Sequence, residues 1–190
     1  MKPIINFIIY VMFRPEVVGK ENIPKTGRVV LAGTHTKWLD SPLLIAVNKR
    51  QVHFMAKCEL FKGPMKFFMN GMGCIPVNRK QKDKNSLIKA KEVLNEDGMI
   101  GIYPEGTINR TDDLTMPFKI GAVKMSNDTD SLLVPFVITG KYKMFRKSVK
   151  IEFLKSRKIS NNLDFENEKL MKAIRKKVAD YRKGINYEER

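Results

Sequence analysis

A histidine and an aspartate, His35 and Asp40, lie five positions apart at the point where an apolar run ends. The run, residues 29–32, is followed by Gly33 and Thr34, a pattern that often delivers side chains to the open end of a sheet. A histidine there can act as a general base on a hydroxyl group, and a nearby acidic residue can fix its tautomer and stabilise the imidazolium. Such a pair also occurs by chance, so the spacing alone makes catalysis a hypothesis.

A second polar group follows another apolar run. Tyr103 and Pro104 lead there into Glu105, Gly106 and Thr107. A carboxylate followed by glycine at a tight turn brings backbone amides and a threonine hydroxyl to one place, where they could hold a phosphate or the hydroxyls of a head group. The alternative is an ordinary turn after a strand, because proline, glycine and threonine are common in such turns.

A third strand end carries a cation. Residues 74–78 read as a strand, and Arg79 directly after it could donate two hydrogen bonds to a phosphate. The alternative is a solvated surface arginine. Ligands of α/β sheets tend to bind at the carboxyl ends of the strands, so three strand ends with such side chains in one chain favour a single site.

Hydrophobic periodicity places these residues in an α/β fold, a sheet with helices on its faces. The predicted strands are 28–33, 51–55, 74–78, 99–103, 132–138 and 148–154. Helices are predicted at 40–48, from an N-cap at Ser86 to Gly98, and from about 164 to 183 with Gly184 as the stop. With 190 residues, no repeat and no linker, the chain is expected to form one domain over residues 1–190.

The first residues form an apolar run, 3–13, that is too short to cross a bilayer as a helix. Arg14, Pro15 and Glu16 follow it, which is unlike the small residues of a signal-peptide cleavage site. Two interpretations remain for residues 1–14: a helix whose apolar face packs on the domain, or a helix that lies in the membrane interface.

The chain has a formal net charge of +16, and two stretches carry nearly all of the excess. Residues 49–84 contain nine basic and two acidic side chains, and residues 141–158 contain eight and one. Residues 85–140 sum to −3, with five basic and eight acidic side chains. The positive charge is therefore regional and favours an anionic partner such as a phosphate-bearing ligand, an anionic lipid surface, nucleic acid or an acidic protein.

The only cysteines, Cys58 and Cys74, belong to no CxxC pair, so we expect reduced thiols and no disulfide framework. Together with the two histidines they lack the paired spacing of structural zinc sites, and no metal is expected.

Four sequence blocks lie in order over roughly residues 29–140. The blocks are Gly33 to Asp40; Lys57 to Leu60 with Pro64, Gly73 and Arg79; Tyr103 to Thr107; and Val134 to Ile138. Together they resemble the glycerolipid acyltransferases with an HxxxxD motif, the lysophosphatidic acid acyltransferase group. The resemblance implies a mixed, mainly parallel sheet flanked by helices, with a catalytic core at 29–140.

The resemblance also implies the chemistry. His35 would remove the proton from the acceptor's free hydroxyl, Asp40 would orient His35, and the acceptor oxygen would attack an acyl thioester. No cofactor and no covalent acyl-enzyme are implied. The acceptor's phosphate would be held by residues of the second and third blocks: Lys57, Arg79, Glu105, Gly106 and Thr107.

Two positions depart from the family pattern. Thr34 stands where asparagine commonly precedes the histidine, and Ile108 stands where arginine commonly follows the third block, so Arg110 is the candidate replacement cation. The resemblance implies transfer of an acyl group from acyl carrier protein or CoA to the sn-2 hydroxyl of 1-acylglycerol-3-phosphate, which would form phosphatidic acid at the cytoplasmic face of the cell membrane.

Other readings stay open. The acceptor could instead be glycerol-3-phosphate or another lysophospholipid. A non-catalytic basic module for anionic lipid or RNA is the alternative from another class, but no RNA-binding signature is present and most aromatic residues lie in apolar runs, so no nucleic acid partner is expected.

Overall fold

Residues 2–78 and 83–188 are described by a computed structural model, in which seven strands form one sheet. The strands are β1 (Glu16–Val18), β2 (Val29–Gly33), β3 (His53–Lys57), β4 (Ile75–Val77), β5 (Met99–Ile102), β6 (Leu132–Gly140) and β7 (Val149–Phe153). The α-helices are α1 (Lys2–Phe13), α2 (Asp40–Val47), α3 (Gly63–Gly71), α4 (Lys84–Asn95), α5 (Gly121–Asp128) and α6 (Leu163–Glu188).

The strand order is β1-β7-β6-β2-β5-β3-β4, which places β2 at the centre of the sheet. Strands β2 to β6 run parallel, whereas β7 is antiparallel to β6 and pairs in parallel with β1. The expected mixed, mainly parallel α/β sheet is therefore confirmed. Because β5 and β6 flank β2 in parallel, the carboxyl ends of these three strands open at the same edge.

Two hydrophobic layers cover the sheet, one on each face. Strand β2 contributes to both because its side chains alternate: Val29 and Leu31 enter the layer beneath α1 and α2, and Val30 and Ala32 enter the layer beneath α4, α5 and α6. All five residues of β2 are buried, as expected for a central parallel strand.

The six predicted strands correspond to β2 to β7 within a few residues, but two helix boundaries were predicted wrongly. Ser86 is not the N-cap of α4: it is buried inside the helix, and the side chain of Asp83 accepts a hydrogen bond from the backbone N–H of Ser86 at 3.1 Å. Helix α6 continues past Gly184, because glycine lowers helix propensity by only about 1 kcal/mol and keeps its backbone N–H.

Helix α1 packs on α2 through one face and exposes the other. Ile5, Ile9 and Phe13 are buried, whereas Ile4 and Phe7 are 59% and 70% exposed. The ammonium of Lys2 donates to the carbonyl oxygens of residues 49 and 50, which ties the start of the helix to the domain. Among the described residues, no helix combines the length and the apolar character that crossing a bilayer requires.

Candidate active site

The site begins where β2 ends, at Gly33. A side chain on this glycine would place its Cβ 2.1 Å from the carbonyl oxygen of Phe136 on β6, so only glycine allows the close approach of these two strands. The chain then leaves the sheet through Thr34, whose hydroxyl oxygen accepts a 2.8 Å hydrogen bond from the backbone N–H of Ile138. This anchor fixes the direction in which His35 leaves the sheet.

His35 and Asp40 are in contact. The Nδ1 atom of His35 lies 3.1 Å from Oδ2 of Asp40, and the histidine side chain is 16% exposed, whereas the aspartate is fully buried. Because Nδ1 faces the carboxylate, Nε2 is the ring nitrogen that remains for a substrate proton. A carboxylate in this position favours the Nδ1–H tautomer and stabilises a charged imidazolium.

Asp40 is held by several donors at once. Its Oδ2 accepts hydrogen bonds from the backbone N–H groups of Thr36 at 2.6 Å and Lys37 at 2.8 Å, and its Oδ1 accepts one from the hydroxyl of Tyr142 at 2.7 Å. Asp40 is also the first residue of α2, where the helix dipole favours a negative charge. Burial, and then the neighbouring Asp40 charge, raises the pKa of Tyr142, so its hydroxyl stays a donor.

The ring of Tyr103 stacks on one face of the His35 imidazole and restricts its orientation. The two rings stack with centroids 3.9 Å apart and an angle of 11° between their planes. The Tyr103 hydroxyl lies 2.9 Å from Oγ of Ser41, so both ends of the tyrosine are held. Burial, and then the charge of Asp40, raises the pKa of Tyr103, which keeps this ring neutral.

Glu105 is buried, with 3% of its surface exposed, and its Oε2 accepts a 2.8 Å hydrogen bond from the backbone N–H of Met116. Burial raises the pKa of Glu105 above its usual value, although this hydrogen bond, a second from the backbone of His35 and the proximity of that histidine act in the opposite direction. The carboxyl group lines a cavity of about 80 Å³ that is also lined by Thr34, Thr36 and Arg182.

Gly106 adopts a left-handed conformation, with φ of 73°, and its N–H donates to the carbonyl oxygen of Tyr103 at 2.9 Å. That amide therefore closes the turn. A Cβ on Gly106 would lie 2.8 Å from Nζ of Lys119, so the turn has a cation directly beside it. Sequence reasoning missed Lys119, which follows the third block by 12 positions and has no local pattern to mark it.

Three of the remaining predicted residues lie at the surface. Lys57 is exposed at the end of β3, and Thr107 and Arg110 are exposed after β5. Arg79 lies outside the described residues. The structure thus brings the side chains of His35, Asp40 and Glu105 together. It also adds Tyr103 and Tyr142, whose contacts with the pair could not be predicted from spacing along the sequence.

Neither cysteine takes part in this arrangement. Burial raises the pKa of Cys74 to about 11, so this thiol stays protonated and unreactive. Among the described residues no group of histidine, cysteine and carboxylate side chains could hold a metal ion.

A buried carboxylate and a histidine at the carboxyl end of a central parallel strand define a site suited to proton removal from a hydroxyl group. The chain belongs to the acyltransferase family, whose model, described as "Acyltransferase", matches residues 14–139.

Two curated relatives are both named 1-acyl-sn-glycerol-3-phosphate acyltransferase. The protein from Bacillus subtilis is 33% identical over 127 residues, and the protein from Borreliella burgdorferi is 34% identical over 136 residues. The aligned parts cover 66% and 70% of this chain, and the chain spans 62% and 54% of the length of these two relatives.

A solved structure supports the fold. The 1-acyl-sn-glycerophosphate (LPA) acyltransferase, PlsC, from Thermotoga maritima superimposes with a TM-score of 0.74 and is 20% identical in sequence. The match covers 90% of this chain and 73% of that one.

Proposed function

We propose that the protein transfers a fatty acyl group from an acyl thioester to the sn-2 hydroxyl of 1-acylglycerol-3-phosphate and so forms phosphatidic acid. The family and the names of the two relatives support this acceptor. The observation that carries the proposal is the 3.1 Å contact between Nδ1 of His35 and a fully buried Asp40, since it leaves Nε2 to act on a substrate hydroxyl.

The proposed reaction is a direct transfer. Nε2 of His35 takes the proton of the acceptor hydroxyl as the oxygen attacks the thioester carbonyl carbon. The tetrahedral intermediate collapses, the carbon–sulfur bond breaks, and the departing sulfur takes the proton back from Nε2. Asp40 keeps Nδ1–H oriented and balances the transient positive charge, and general base catalysis of this kind contributes about 10² to 10⁴ in rate.

The acceptor's phosphate is assigned to polar residues of the second and third sequence blocks and to cations that follow the third. Arg79 is the principal proposed ligand because its guanidinium can donate two parallel hydrogen bonds to a phosphate. The other proposed contacts are Lys57, Glu105, Thr107 and Arg110, whereas Gly106 shapes the turn because its N–H is bonded to the carbonyl oxygen of Tyr103. The ammonium of Lys119 lies beside Gly106, and we add Lys119 to the proposed contacts of the phosphate.

The proposed location is the cytoplasmic face of the membrane, with the protein bound at the lipid surface. The exposed apolar face of α1, on which Phe7 is 70% exposed, would enter the interface. The basic stretches at 49–84 and 141–158 would attract anionic lipid, with about 1 kcal/mol for each well-placed cation.

An acyl-transfer assay with purified protein tests the proposal. Lysophosphatidic acid and glycerol-3-phosphate are each offered with acyl carrier protein and CoA thioesters as donors. Formation of phosphatidic acid from lysophosphatidic acid, with either donor, is the expected result. Preferential use of glycerol-3-phosphate would change the acceptor, and no transfer with any pair would contradict the proposal. The donor that gives the higher kcat/KM identifies the acyl carrier.

A further inference from the structure

The segment that joins β6 to β7, residues 141–148, exposes two large apolar side chains at its tip. Met144 is 56% exposed and Phe145 is 58% exposed. Single exposed apolar residues are common on protein surfaces, but two adjacent ones at a loop tip form a compact apolar projection.

Phe145 is also held in an unfavourable backbone conformation. Its φ is 59°, in the left-handed region that aromatic residues rarely adopt and that glycine or asparagine would tolerate. Strain of this kind persists where the surrounding structure imposes it, and it concentrates at binding sites. The phenylalanine here fills no core position that would explain its choice, because most of its side chain is exposed.

The tip lies beside α1. The backbone N–H of Phe145 donates a 2.5 Å hydrogen bond to the carbonyl oxygen of Met12, in the last turn of that helix. Val11 and Ile8, on the outward face of α1, are 43% and 44% exposed. The apolar tip therefore adjoins the apolar face for which a membrane position is proposed above.

The tip is surrounded by positive charge. Residues 141–148 contain four basic side chains and no acidic one: Lys141, Lys143, Arg146 and Lys147. All four are exposed. Apolar side chains flanked by cations are typical of segments that bind anionic membrane surfaces.

We propose that residues 141–148 form a second membrane contact, in which Met144 and Phe145 enter the lipid interface and the four cations bind lipid phosphates. The proposal rests on the proposed function in one respect, the membrane position of α1.

The same segment carries Tyr142 inward. Its ring packs edge-to-face on Phe13 of α1, with centroids 5.4 Å apart, and its hydroxyl donates a hydrogen bond to Asp40. Thus the contact joins the membrane surface to the candidate site.

The test uses Phe145→Asn, because asparagine tolerates the left-handed conformation and so removes the apolar ring without adding backbone strain. Binding to vesicles of phosphatidylcholine with phosphatidylglycerol is measured by sedimentation of the full chain. The expected result is a roughly tenfold loss of partitioning with a melting temperature no lower than that of the wild type. The matched control is Phe165→Gln, since Phe165 is 56% exposed on α6, on the opposite face of the sheet, and its replacement is expected to leave partitioning unchanged.

A second measurement reads insertion directly. Phe145→Trp in a Trp38→Phe background leaves one tryptophan, at the tip, and brominated lipid should quench its fluorescence. Absence of quenching, or wild-type partitioning of Phe145→Asn, would overturn the proposal. Slower transfer from acyl carrier protein with unchanged vesicle binding would overturn it in favour of a protein-docking segment.

The result is separable from the proposed function. A wild-type chain that binds vesicles through this tip but transfers no acyl group would contradict the proposed reaction alone. Loss of binding on changing the outward face of α1, with none on changing Phe145, would leave α1 as the membrane contact and exclude the tip.

Discussion

The hydroxyl of Tyr142 donates a 2.7 Å hydrogen bond to Oδ1 of Asp40 across 102 positions of sequence. The family model ends at residue 139, so this tyrosine lies just outside the matched region. Its hydroxyl supplies the donor for the carboxylate oxygen that does not face His35. The buried carboxylate thereby has donors on both oxygens, which holds its orientation.

Replacing Tyr142 by phenylalanine should weaken both the fold and the reaction. Loss of a hydrogen bond to a buried charged group lowers the free energy of unfolding by about 1.5–3 kcal/mol. Because Asp40 is then less well oriented, we expect kcat to fall about tenfold while KM changes little. Urea unfolding and steady-state kinetics measure the two effects. Tyr181→Phe on α6 serves as the control, and an unchanged kcat in Tyr142→Phe would contradict the assigned positioning role.

His35→Ala should abolish acyl transfer and leave the fold intact. Removal of the general base lowers the rate by about 10² to 10⁴. The side chain is partly exposed and stacks on Tyr103, so only a small change in melting temperature is expected. The other histidine, His53, provides the control as His53→Gln. A rate loss of about 10² or more leaves roughly one per cent of the activity or less. Retention of more than a few per cent in His35→Ala would therefore exclude His35 as the base.

Glu105→Gln should stabilise the protein at high pH. Burial raises the pKa of Glu105 in the folded state, so the folded chain binds more protons than the unfolded one. The stability that this group contributes is present below its unfolded pKa and is lost as pH rises through the folded pKa. Glutamine removes the charge and keeps an acceptor for the N–H of Met116.

We expect Glu105→Gln to raise the melting temperature near pH 8 and to change it little near pH 4. Acyl transfer should fall in the same variant, since Glu105 is a proposed acceptor contact. Glu96→Gln, at an exposed position after α4, is the control. A melting temperature that falls by the same amount at both pH values would contradict the idea that the ionised Glu105 carboxylate destabilises the fold.

Arg79→Ala should weaken the binding of the acceptor more than the binding of the acyl donor. A charge-assisted pair of hydrogen bonds to phosphate is worth about 1.5–3 kcal/mol, so KM for lysophosphatidic acid should rise about tenfold or more. KM for the acyl donor should change little. Lys84→Ala, which removes an exposed cation at the start of α4, is the control. Equal losses for the two substrates would indicate a structural role for Arg79.

Deleting residues 1–14 should reduce binding to anionic vesicles if α1 is an interfacial helix. The deletion also uncovers α2, because Ile5, Ile9 and Phe13 are buried against the domain. The sharper variant is the pair Ile4→Ser and Phe7→Ser on the outward face, which removes two exposed apolar side chains and leaves the packed face intact. Sedimentation should show a clear loss of bound protein, whereas unchanged sedimentation would favour packing as the only role of α1.

Much of the fold was predictable because its strands are marked by local apolar runs. Strand β1 was not, because Glu16–Val18 has only three residues and exists through its pairing with β7. Helices α3 and α5 were also missed; α3 has glycine at both ends, and α5 begins at a glycine. Glycine has a low helix propensity and adds no side chain to the periodic pattern by which helices are found.

The His35 and Asp40 pair could be predicted because both residues lie on one turn, where spacing along the chain nearly determines spacing in space. The ordered blocks that resemble the acyltransferases likewise carry their information in the sequence itself. The supporting contacts of the pair were decided only by the tertiary structure. Tyr103 reaches His35 because β5 lies beside β2, and Tyr142 reaches Asp40 because β6 flanks the other side of β2. Contacts of this kind depend on the order of strands in the sheet, which no local pattern encodes.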